Sequence, residues 1–149
     1  MAANQLVFYF IESTRISNFL SKNDEQLDWD ILENNDLLAI ECIDVNCIHY
    51  YFSEFLDQND HWQSGSNLYG SLDSNCIVYS LNDNYKISEI SVRFDLLSTG
   101  LDNFIQEVVD FSQKHGLILL QIIPNFKLQN ANFKGIYNLL ENVKFKALK

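Results

Sequence analysis

Residues 90–96 read ISVRFDL. Ile90, Val92, Phe94 and Leu96 alternate with Ser91, Arg93 and Asp95, so a strand here buries one face and leaves the other polar. Leu101, Phe104, Ile105, Val108 and Phe111 then fall at helical spacing, and Gly116 after Lys114 and His115 marks that helix's C-terminus. Residues 117–123, LILLQII, follow as a buried strand that Pro124 stops. The unit reads as a strand–helix–strand crossover, right-handed provided its strands run parallel.

The rest of the chain extends this pattern. Ile87 is out of phase with Ile90, which predicts a bulge near Ser88. Residues 76–81 form a preceding strand, and Asn82-Asp83-Asn84 make the turn between the two. Thr99 and Asp102 are a candidate capping pair. Phe133, Ile136, Tyr137, Leu140 and Val143 mark a last helix beginning near Asn130 or Asn132. Near the start, residues 6–11 (LVFYFI) read as a buried strand, and Ser13 or Thr14 opens a short helix. A second, acidic helix is expected from Asn23 or Asp24 through Glu33, then a strand over residues 37–43 (LLAIECI). Apolar positions 45, 48, 52, 55 and 56 predict another helix. Residues 58–74 lack periodicity and read as the longest loop. The expected fold class is α/β, with α+β as the alternative: a mixed β-sheet of about five strands covered by helices, residues 1–149 being a single domain.

A chain of 149 residues with 47% apolar content, one Pro and five Gly can bury a sizeable core. Cys42, Cys47 and Cys76 sit in apolar surroundings at irregular spacing, so they read as reduced, mostly buried thiols rather than a disulfide framework. Residues 1–11 lack the basic start of a secretory signal, and no apolar run approaches the length of a membrane span. The expected location is cytoplasmic.

Charge divides the chain. Residues 1–75 carry two basic residues and thirteen acids, whereas residues 76–149 carry eight and seven. No Lys or Arg occurs between Lys22 and Lys86. Such a field repels nucleic acid and anionic membrane, and it attracts basic partners.

The chemistry-bearing residues do not form a familiar signature. Cys42, Cys47 and His49 are dense in ligand types, but their spacing does not suit a zinc site. Asp24, Asp28, Asp30 and Glu33 lack the spacing and the glycine of a calcium loop. Neither a metal nor a cofactor is implied. A small enzyme with a cleft around Glu41, Cys47 and His49 is one alternative, because burial can raise a carboxyl pKa and a helix start can activate a thiol. An acidic nucleic-acid mimic is another. No phosphate-cradling glycine loop and no nucleophile elbow is present.

The acidic interval itself is the leading feature. Asp24, Glu25, Asp28, Asp30, Glu33, Asp57 and Asp60 would steer a basic partner, and Trp29, Trp62 and Tyr69 would supply aromatic contacts. Size, acidity and lack of catalytic motifs resemble small acidic bacterial immunity proteins, including those of contact-dependent inhibition systems. Residues 90–96, the following helix and residues 117–120 (LILL) resemble small bacterial proteins of that setting. The resemblance implies an immunity or antitoxin-type protein that binds a basic toxin domain, such as a nuclease. It carries no residue-level site and implies no catalytic role.

Overall fold

The computed structural model describes residues 5–23, 26–59, 66–122, 126–129 and 132–147, with side chains in the last helix described through residue 143. In chain order the elements are β1 (Gln5–Glu12), α1 (Ser13–Lys22), α2 (Trp29–Asn34), α3 (Val45–Phe52), β2 (Gln58–Asn59), β3 (Ser66–Gly70), β4 (Cys76–Leu81), β5 (Ile87–Asp95), α4 (Leu101–His115), β6 (Leu117–Gln121), β7 (Lys127–Gln129) and α5 (Phe133–Ala147). The strands form one sheet in the order β2-β3-β4-β5-β1-β6-β7.

Every pairing among these strands is antiparallel. Among the described residues the sheet therefore has seven strands rather than five and is not mixed, and the α+β description fits better than α/β. The crossover from β5 through α4 to β6 does join two strands of like direction. They do not touch, because β1 lies between them and pairs with both. A single apolar strand, LVFYFI within β1, thus becomes an inner strand of the sheet, paired on both edges.

Alternation along β1 explains the layering. Leu6, Phe8 and Phe10 enter the larger core with Ile48 and Phe52 of α3, Phe104 and Phe111 of α4, and Ile136 and Leu140 of α5. Ile11 and Tyr9 face the other way, into a smaller cluster with Ile16 of α1 and Leu32 of α2. Helices therefore cover both faces. Both sides of β1 are buried, which is why it reads as continuous rather than alternating hydrophobicity. The alternation in residues 90–96 holds: Ile90, Val92 and Phe94 join the main core, and Ser91 and Arg93 lie on the opposite face.

Local expectations fare unevenly. The bulge is present, since Ser80 pairs with Glu89 but Leu81 pairs with Ile87. Gly116 adopts φ 66 as the left-handed C-cap of α4. The α4 N-cap is Gly100, without a side-chain cap, so Thr99 and Asp102 form no capping box. The acidic helix is shorter than expected and starts at Trp29, where the Asp28 side chain accepts from Ile31 N–H at 2.9 Å. Residues 37–43 are not a strand; their one ladder contact is an Ile40–Ile87 bridge. The expected loop over 58–74 contains β2 and β3. Leu68 and Tyr69 of β3 bury side chains on opposite faces, which erases the periodicity by which a strand is read. No helix among the described residues is long and apolar enough to cross a membrane.

Candidate functional site

The candidate site is built where the bridge segment 36–44 meets α3 and the β4–β5 turn. Two charged residues, Glu12 at the end of β1 and Arg15 in the first turn of α1, hold this segment. The Glu12 carboxylate, itself buried, accepts hydrogen bonds from the backbone N–H groups of Glu41 and Cys42, the latter at 2.8 Å. Arg15 donates to the carbonyls of Ala39 (2.6 Å) and Asp36 (2.7 Å), and lies 3.8 Å from Glu12. The segment is further tied by Ile40 N–H to the Ile87 carbonyl at 3.2 Å and by the Cys42 thiol to the His115 carbonyl at 3.4 Å. Arg15 is one of only two cations before Lys86, and its guanidinium is engaged inside the fold.

The opposite wall is the turn after β4. Asn82 Oδ1 accepts from the N–H groups of Asn84 (2.9 Å) and Lys86 (3.0 Å), and Asn82 N–H donates to the Lys86 carbonyl. This Asx-type arrangement follows from the Asn-Asp-Asn sequence. It holds Tyr85 at φ 60, a left-handed conformation that disfavours a bulky side chain, with the ring 82% exposed. Between the two walls lies an open groove of about 680 Å³. Asp36, Glu41 and Asp44 supply its acids, Ile40, Ile43 and Ile87 its apolar surface, and Tyr85 and Lys86 its far side. Asp44 also caps α3 by accepting from Cys47 N–H at 3.2 Å. Cys47 lines this groove and a shallower one of about 360 Å³, where Tyr50, Glu54, Phe55, Lys114 and His115 meet. Tyr50 is 74% and Phe55 50% exposed.

Electrostatics around these walls is dominated by acids without counterions. Thirteen acids fall between Asn23 and Tyr85; Asp24, Glu25 and Asp60 lie outside the described residues, and the other ten are all exposed. None of the ten is ion-paired among the described residues. Of the three cysteines expected to be mostly buried, Cys76 is buried, Cys47 is partly so and Cys42 is exposed; local desolvation and the Glu12 charge nonetheless push the Cys42 thiol up to about 11. Burial likewise raises Cys76 to about 11, despite an opposing influence from Arg93. On the other face of the sheet, burial and then the charge of Glu33 raise the Glu89 carboxyl. Neither the Cys42 nor the Cys76 environment favours a thiolate nucleophile.

The residues singled out from sequence are scattered over several places. Asp28, Asp30 and Glu33 are exposed on or beside α2. Trp29 is 40% exposed and packs edge-on against Tyr9 (5.7 Å) and Phe126 (5.5 Å). Asp57 is exposed, and its carbonyl accepts from Gly70 N–H at 2.8 Å. Trp62 lies outside the described residues, as do Asp24, Glu25 and Asp60. Tyr69 is 1% exposed, a core residue that meets His49 Nδ1 at 2.9 Å and stacks on Tyr79. Its burial follows from its place on β3, opposite Ile77 of β4 and facing the main cluster. The groove brings Glu41 and Cys47 together, but Glu41 is exposed rather than buried in a strand, and His49 lines neither groove. Among the described residues no group of three or more His, Cys, Asp or Glu is placed to hold a metal ion.

Sequence reading passed over Asp36, Asp44, Tyr50, Phe55 and Tyr85 as surface contacts. Tyr85 follows the Asn82-Asp83-Asn84 turn directly, a position that should have marked it as a tip residue. Tyr50 falls off the 45, 48 and 52 stripe of α3. The groove itself could not be read, because it joins residues about forty positions apart. No protein-family model, curated protein or solved structure matches this chain.

Proposed function

We propose that this protein is an immunity-type inhibitor that binds and neutralises a basic toxin domain, such as a nuclease, through its acidic surface. The observation that carries this reading is the set of ten exposed, unpaired acids displayed on an ordered framework. Like charges at that density oppose compaction, so their retention without local counterions is accounted for by a partner that supplies them. Exposed aromatics beside them, Tyr50, Phe55, Tyr85 and Trp29, add the apolar contacts that give such an interface affinity.

The decisive experiment uses a purified basic toxin domain encoded beside this gene. Binding is measured by stopped flow and calorimetry at low and high salt. The association rate should fall steeply as salt rises, and Asp30→Lys with Glu33→Lys and Glu41→Lys should slow it about tenfold or more. The inhibitor should also suppress the toxin's activity at equimolar ratio. An association rate that is indifferent to both salt and charge reversal sinks the reading.

A further inference from the structure

We propose that the groove between residues 36–47 and 82–87 is an arginine-binding slot for a basic protein partner. This inference rests on the proposed function and names the contact at its centre. The chemistry of the walls matches a guanidinium and its stem. Asp36, Glu41 and Asp44 present carboxylates from one wall, and none of them is ion-paired among the described residues. Tyr85 presents an exposed aromatic ring from the other. Ile40, Ile43 and Ile87, core residues each less than a tenth exposed, line the groove's apolar base. A planar guanidinium stacks on an aromatic ring and donates edge-on to carboxylates at the same time. A lysine ammonium satisfies the charge but does not stack in that way. Lys86 lies on the same far wall and repels a cation that approaches outside the acidic side. The occupant is therefore a protruding arginine of a basic surface, with its neighbours left outside the slot.

The test uses hexa-arginine and hexa-lysine peptides as probes, with backbone amide shifts and calorimetry as readouts at low salt. Three variants are compared with the parent protein: Glu41→Gln with Asp44→Asn, Tyr85→Gly, and Asp30→Asn with Glu33→Gln on α2. Asparagine keeps the α3 cap and glycine accepts the left-handed conformation, so circular dichroism should show all three folded. Hexa-arginine should shift amides at 36–47 and 82–87 and bind more tightly than hexa-lysine. The groove double variant should weaken it about tenfold. Tyr85→Gly should weaken hexa-arginine about two- to fivefold and remove its advantage over hexa-lysine. Loss confined to the α2 variant, or equal binding of both peptides with no effect of Tyr85, overturns the slot and leaves the acidic-surface reading standing. Failure of both peptides to bind overturns the slot and the acidic-surface reading together.

Discussion

Residues 23–85 and residues 86–149 use charge in opposite ways. The later region holds eight basic residues and six acids, and several of these are bound into the fold. Asp95 Oδ1 accepts from Leu97 N–H at 3.0 Å, Glu107 accepts from the Tyr51 hydroxyl at 3.2 Å, and Arg93 and Glu89 are half-buried on the sheet. The earlier region holds thirteen acids and no base, and every described one faces water. Both regions nonetheless build the same core. Ile48, Phe52, Tyr69, Ile77 and Tyr79 from the earlier one pack in the cluster with Phe94, Phe104 and Phe111 from the later one. The division is therefore not between a binding half and a supporting half. The earlier region carries its acids outward on elements whose apolar sides are anchored in a shared core, so the acidic surface has a fixed shape.

The largest expected effect tests that shared anchoring. Phe111 of α4 sits 4.8 Å from Phe52 and 5.2 Å from Tyr51 of α3, and 5.6 Å from Phe10 of β1, measured between ring centroids. Phe111→Ala should cost about 3–5 kcal/mol in urea unfolding, a large share of a typical domain's stability. Loss of α3 order should accompany global unfolding rather than precede it. A cost below about 1 kcal/mol would mean that α3 is held by something other than this aromatic contact.

A smaller effect is expected at the clamp behind the groove. Arg15→Ala removes two hydrogen bonds to carbonyls of the bridge segment, at Ala39 and Asp36. Stability should fall by about 1–2 kcal/mol, and hydrogen exchange at the Glu41 and Cys42 amides should quicken while that of β5 and β6 does not. Uniform acceleration everywhere would instead make Arg15 a support of the whole fold.

The smallest effect is a pH response of two tyrosines and two cysteines whose protons are held chiefly by desolvation. Burial, with Glu89, pushes Tyr9 up to about 12, and burial with Tyr69 does the same for Tyr79. Cys42 and Cys76 stand at about 11. All four bind their protons more tightly in the native state. Their contribution to stability is complete below pH 9, the ordinary thiol value, and is lost as pH rises through about 11 to about 12. Thermal midpoints should hold steady to about pH 9 and fall beyond it. A midpoint that stays level to pH 11 would place the buried Cys76 thiol in contact with water.

Sequence alone determined the elements whose hydrophobic pattern is their own. Residues 90–96 had to be a strand with one apolar face, residues 101–115 an amphipathic helix closed by Gly116, and residues 6–11 a strand buried on both sides, because local periodicity and turn chemistry fix those outcomes; that the polar face of 90–96 is also largely buried, at Ser91 and Asp95, was decided by packing. The acidity of the earlier region was also complete in the sequence. Tertiary structure decided what pairing decides. It placed β1 between β5 and β6 in an antiparallel sheet, turned β3 from an expected loop into a strand, and buried Tyr69. It also withheld a strand from residues 37–43, whose segment is held instead by Glu12 and Arg15. The groove followed from those choices, since its walls come from two segments that carry no mutual signal along the chain. Burial on both faces removes periodicity, and contacts across about forty residues leave no trace in spacing.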